Sequence, residues 1–185
     1  DMGLIVSEPL AIASGVFTTN QVCAAPVKLC KKHLEKPYAK AILVNSGIAN
    51  ACTGSEGKAS AMQLALACSK KINCSQQDIL VCSTGKIGPQ LPVNKMIEGI
   101  DQLLKKADTN QLDFLSQSIM TTDTHPKKIS RTFVLGGEEI KIVGIAKGAG
   151  MIEPNMATML AFILTDAKIN SINLQTALKD AVDHS

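Results

Sequence analysis

The sequence has no tryptophan, one tyrosine and four phenylalanines among its 185 residues. So few rings leave few platforms for stacking bases, and a net charge of +3 is too mild for a basic footprint, so nucleic-acid binding is not expected. No apolar run approaches the roughly 18 residues of a membrane span, and no basic segment leads into a hydrophobic one near the N-terminus. Membrane association is therefore not expected, and a cytoplasmic location is. The chain opens directly on the strand-like Gly3-Leu-Ile-Val-Ser7, so its first residue is not expected to be the natural start, and an upstream targeting peptide stays open. The six cysteines, at 23, 30, 52, 68, 74 and 82, include no Cys-x-x-Cys pair and have no histidine at ligand spacing. No metal is expected from that pattern. Cys52, Cys68 and Cys82 lie in apolar surroundings and read as small buried hydrophobes, kept reduced. His33 and His125 have no identifiable partner and read as surface residues.

What remains is an ordinary globular composition, 45% hydrophobic and 19% charged, long enough for one substantial core. Apolar patterning alternates strands with helices and implies an α/β fold of mixed β-sheets covered by helices. Strands are expected at Leu4–Val6, from Val16, at Ala39–Val44 and at Asp78–Cys82. Helices are expected over Val27–Leu34, from a Ser55 N-cap to about Ile72, from Pro92 with Val93, Met96, Ile97, Ile100, Leu103 and Leu104 on one face, and around Leu112, Leu115 and Ile119. Ile129–Leu135 and Glu138–Ile145 flank Gly136-Gly137 as a hairpin. The unbroken run Met159–Leu164 reads as a strand buried on both faces, and Ser171 as the N-cap of a final helix with Leu174, Ala177, Leu178, Ala181 and Val182 on one face.

Several polar segments interrupt this pattern. Gly54, Gly57 and Lys58 precede a helix, but the spacing is two residues short of a phosphate loop and Ala59 stands where Ser or Thr would bind magnesium, so nucleotide binding is not expected. The strand ending at Cys82 runs into Ser83-Thr-Gly85, which is either a turn or a hydroxyl and backbone N–H groups presented at a sheet's carboxyl edge. Thr121-Thr-Asp-Thr124 is either a helix exit or a polar site. Lys147 enters a glycine segment, Gly148 and Gly150, closed by Pro154, and a single hydroxyl, Thr158, precedes the apolar run.

Taken whole, Lys147-Gly-Ala-Gly-Met151, Pro154 and Ala157-Thr-Met-Leu160 resemble the autoprocessing segment of the ornithine acetyltransferase family, and the Asn50-Ala-Cys-Thr-Gly54 loop adds to the match. The resemblance covers nearly the whole chain, although the family's proteins are about twice as long. It implies self-cleavage between Ala157 and Thr158, dividing the chain into an α-chain portion, residues 1–157, and the start of a β chain, residues 158–185. It further implies that Thr158 is the catalytic nucleophile, that Thr84 and Gly85 form an oxyanion hole, and that substrate is bound by Thr121, with Thr122 in reserve, and by Lys147. Lys147 would meet a substrate carboxylate or lower the pKa of the Thr158 amine. The reaction implied moves an acetyl group from N-acetylornithine to glutamate in arginine biosynthesis. It needs no cofactor, with acetyl-CoA as a possible co-substrate, and the expected assembly is a heterotetramer of two α and two β chains, in the mitochondrial matrix if the source is eukaryotic. A self-processing aminopeptidase or amidohydrolase, with water as acceptor, and a non-catalytic partner subunit, in which Thr158 is only a strand residue, are the competing readings.

Overall fold

A computed structural model describes residues 1–108, 110–148 and 159–185. Its α/β architecture is built on two three-stranded sheets. In the first, β1 (Met2–Ile12) runs antiparallel to β2 (Tyr38–Ile48), which runs parallel to β3 (Ile79–Lys86). Parallel strands need a long crossover, and α2 (Gly54–Lys71) supplies it. In the second sheet, β4 (Lys127–Leu135), β5 (Glu138–Lys147) and β6 (Leu160–Thr165) form an antiparallel meander whose hairpin turns on Gly136 and Gly137, both at positive φ.

Strand alternation sorts the central residues onto two cores. Ala41 and Leu43 of β2 and Ile79 and Val81 of β3 pack against Leu64, Ala65 and Cys68 of α2 and Met96 and Ile100 of α3 (Val93–Lys105). On the opposite face Val44 meets Ile145 and Phe162 of the second sheet, together with Ile119 at the end of α4 (Leu112–Ser118). The result is helices, sheet, sheet. The open edge of β3 is covered by α1 (Ala25–His33): the Cys30 thiol donates to the Val81 carbonyl at 3.2 Å, and His33 Nδ1 donates to the Ile79 carbonyl at 2.7 Å. Those carbonyls would otherwise template another strand. His33 is therefore buried, not a surface residue, whereas His125 is exposed.

Other expectations change for local reasons. No strand forms at Val16, because β1 continues to Ile12 through an irregularity between Val6 and Ala11, and Phe17 packs beside α1 as irregular chain. Thr53, not Ser55, stands at the N-cap of α2; its hydroxyl donates to Asn50 Oδ1 while Asn50 Nδ2 donates to the Gly57 carbonyl, so the buried Asn50 organises the turn and Ser55 faces solvent. That turn gives Cys52 a positive φ and leaves it exposed, against the expectation of burial; Cys68 is buried and Cys82 half-buried. The strand β6 is buried on one face only, with Phe162 in the core and Ile163 at 57% exposure. Ile163 shares its outer face with Ile129 and Phe133, both well exposed. The last helix, α5 (Ser171–Asp183), is capped by Asn170, whose side chain accepts from the Asn173 N–H at 2.8 Å, rather than by Ser171.

Candidate active site at the junction of the two sheets

The parallel register of β2 and β3 sets Ser46 beside Thr84 and Gly47 beside Gly85. Side chains lock this end of the sheet: Ser83 Oγ donates to Asn45 Oδ1 at 2.7 Å, Asn45 Nδ2 to the Ile48 carbonyl at 2.9 Å, and Ser46 Oγ to the Ser118 carbonyl at 2.6 Å. Ser83-Thr-Gly85 is thus not a simple turn; it stays in the sheet. Gly85 has a φ of 130° and lies so close to Gly47 that a side chain would collide with backbone. Its own backbone is exposed, so its polar groups can meet a ligand.

The strand β5 brings the cation. Period-two alternation puts Lys147 on the same face as Ile145, which points into the inter-sheet core. Lys147 is accordingly only 3% exposed, and its Nζ donates to Thr84 Oγ1 at 3.0 Å. Burial pulls its pKa below the ordinary lysine value and the Lys127 ammonium pulls the same way, while Asp123 opposes both. Because Thr84 accepts from an ammonium, its hydroxyl proton is left available to donate, from a polarised oxygen. The register partner of Lys147 is Leu160, two positions beyond Thr158.

Asp123, which sequence reasoning missed, sits at the centre of the remaining contacts. Its Oδ1 accepts from the Gly148 N–H at 2.9 Å and from Lys127 Nζ at 2.5 Å, and its Oδ2 lies 3.5 Å from the Thr121 N–H. Burial disfavours the charged carboxylate, but the Lys127 ammonium and the two N–H groups outweigh it, lowering its pKa to about 2. That is below the unfolded reference of ~3.9, so the stabilisation is present above pH 4 and is lost as pH falls towards 2, a contribution of about 2 kcal/mol. Urea unfolding followed by circular dichroism should show wild type more stable than Asp123→Asn by about this amount at pH 6, the gap closing near pH 2. The signal in the sequence was the carboxylate inside Thr121-Thr-Asp-Thr124, with Lys127 four positions on.

The structure therefore brings together Thr84, Gly85 and Lys147, with the Thr121 backbone joined to them through Asp123. The Thr121 and Thr122 residues are exposed beside this junction. Ala157 and Thr158 lie outside the described residues. Two surface concavities, one between Gly15, Phe17, Leu34 and Gln175 and one between Ser60, Gln63 and Leu91, do not reach this cluster. Among the described residues no group of three or more His, Cys, Asp or Glu side chains is placed to hold a metal, and no helix is long and apolar enough to cross a membrane.

The ArgJ family's sequence model matches residues 1–185. The chain belongs to the ArgJ family. It is similar to the arginine biosynthesis bifunctional protein ArgJ of Lactococcus lactis, at 44% identity over 99% of this chain and 46% of that protein. With the ArgJ of Thermotoga neapolitana it shares 47% identity over its full length and 47% of the relative. The chain thus spans about half the length of the curated relatives it matches. Among solved structures, the ArgJ of Bacillus halodurans superposes with a TM-score of 0.80 at 36% identity, covering 85% of this chain and 83% of that one. An ornithine acetyltransferase of Mycobacterium tuberculosis, crystallised with ornithine, superposes with a TM-score of 0.74 at 34% identity, covering 83% of this chain and 82% of that one. Those likenesses bear out the mixed α/β fold.

Proposed function

We propose that the chain is the amino-terminal part of a self-processing glutamate N-acetyltransferase that moves an acetyl group from N-acetylornithine to glutamate through an acetyl-Thr158 intermediate. The observation carrying this reading is the position of Lys147: buried, bonded to Thr84 and paired in register with Leu160. Lys147 and Leu160, which flank the segment holding Ala157 and Thr158, are register partners, and Lys147 reaches Thr84, which supports a site there. Relatives named as arginine biosynthesis bifunctional proteins, and one crystallised with ornithine, support the substrate class.

In the self-cleavage step the Thr158 hydroxyl attacks the Ala157 carbonyl, the peptide nitrogen leaves as the amine of Thr158, and water hydrolyses the resulting ester. Residues 1–157 and 158 onward become separate chains. The released α-amine has a reference pKa of ~7.7–8.0, suited to acting as general base for the hydroxyl beside it. N-acetylornithine then acetylates Thr158, ornithine leaves, and glutamate takes the acetyl group. Thr84 and Gly85 donate to the tetrahedral oxyanion, Lys147 meets a substrate carboxylate or tunes the Thr158 amine, and Thr121 contacts substrate. No cofactor enters these steps, and acetyl-CoA is proposed as an additional donor. The rest of the precursor is the proposed partner chain, in a heterotetramer of two α and two β chains, located in the cytoplasm. The sheet that carries exposed Ile129 and Phe133 from the first chain and Ile163 from the second leaves an apolar face for the remainder of the second chain to cover.

Incubating the full-length gene product with N-acetylornithine carrying a labelled acetyl group, together with glutamate, is expected to give labelled N-acetylglutamate. Parallel lines in double-reciprocal plots would mark the ping-pong course. Label appearing only as free acetate would instead identify a hydrolase.

A further inference from the structure

The carboxylate of Asp123 has no part in the steps above, yet it touches every piece of the site that the described residues supply except β3. A carboxylate only accepts hydrogen bonds. Here it takes them from the loop before β4 through Thr121, from β4 through Lys127, and from the chain leaving β5 through Gly148. Gly148 has a φ of 140°, so the accepted bond fixes the direction in which the chain leaves Lys147. Among the described residues the charges facing Lys147 are those of Asp123 and Lys127, and Thr84 offers it a neutral hydroxyl. The side chain of Asp123 is 1% exposed against 39% for Lys127, so solvent screens the carboxylate less than the ammonium paired with it.

We infer that Asp123 is the positioning residue of this site: its carboxylate ties the Thr121 loop to the start of the glycine segment and supplies the negative charge that balances buried Lys147. The catalytic consequence rests on the reading of Thr158 given above; the electrostatic one does not. An isosteric amide at position 123 keeps the volume, loses the charge and can no longer accept at every point of contact. Without that charge, no carboxylate among the described residues opposes the pull of burial and Lys127 on Lys147. Lys147 then loses its proton at lower pH, and steps that need its cationic form fail earlier on the alkaline side. Removing the Lys127 ammonium has the opposite sign for Lys147, because a repelling cation is lost while the carboxylate stays.

The test is carried out in the full-length gene product with Asp123→Asn and Lys127→Met. Lys147 is titrated by its side-chain carbon resonances, assigned with Lys147→Arg, and chain separation is followed by intact mass as a function of pH. In Asp123→Asn the Lys147 titration should move down by about one pH unit or more. Self-cleavage should slow by about tenfold to a hundredfold, with its alkaline limit moving the same way. In Lys127→Met the titration should move up, which also reads the inference if the asparagine variant does not fold. An unshifted Lys147 in Asp123→Asn, or a downward shift in Lys127→Met, overturns it. A wild type that never separates, with Lys147 shifting as stated, defeats the Thr158 reading and supports the positioning role of Asp123.

Discussion

Thr158→Ala in the full-length gene product is expected to yield one uncut chain and to lower acetyl transfer by about 10⁴-fold or more, as loss of a covalent nucleophile does. On the proposed mechanism two consequences come from one hydroxyl, since it would be both the attacking group in cleavage and the group acetylated in turnover. Cleavage would create the amine that later activates the hydroxyl, so on this proposal a chain that cannot divide cannot acquire its base. The surroundings fit that economy. Lys147 and Leu160 are register partners, so the segment between them leaves and re-enters the second sheet at neighbouring points. The Thr84 hydroxyl, held by Lys147, stands at the edge of the first sheet facing them. Intact mass reads the first consequence and a labelled-acetyl assay the second. A Thr158→Ser variant is the conservative control for both: serine keeps a hydroxyl and an amine, so division and some transfer should survive. A Thr158→Ala protein that divides at wild-type rate would remove the nucleophile from both steps.

How far these features could be read from the sequence depends on whether the cause is local. The core face of α3 was legible because period 3.6 alone places Met96 and Ile100 inward, and the hairpin because Gly136-Gly137 demands a tight turn. Lys147 was legible as a candidate site residue only through its family resemblance, although alternation already put it on the same face as Ile145. A lysine at that position conflicts with the apolar pattern, and such conflicts gather at functional sites. His33 and Asp123 were not legible, since their partners, the Ile79 carbonyl and the Gly148 N–H, are brought to them by tertiary packing. The double burial expected for Met159–Leu164 failed for a related reason. An apolar run does not say which of its faces meets another layer, and among the described residues only the Phe162 face does. The Cys52 expectation failed because neighbouring apolar residues say nothing about a backbone at positive φ, which here carries the side chain outward.

Gly85→Ala should be the most damaging small substitution in the first sheet. An added Cβ would lie 2.2 Å from the Gly47 carbonyl carbon, 2.5 Å from its oxygen and 2.7 Å from its Cα, and all three are backbone atoms that no rotamer change can move. The φ of 130° adds strain for any L side chain. Relief requires β3 to part from β2 at the Gly47–Gly85 pair, next to Thr84, whose hydroxyl would then no longer sit over Lys147. Together strain and collision should cost about 3 kcal/mol in urea unfolding. Transfer should fall by about 10²–10³-fold from displacement of oxyanion donors. Gly88 supplies the control, because its φ is 103° but a Cβ there meets nothing within 4 Å. Gly88→Ala should therefore show the strain alone, about 1–2 kcal/mol, with transfer close to wild type. Equal losses of stability in the two variants would mean that the strands can part at little cost, and that the Gly47–Gly85 contact does not hold the Thr84 edge in place.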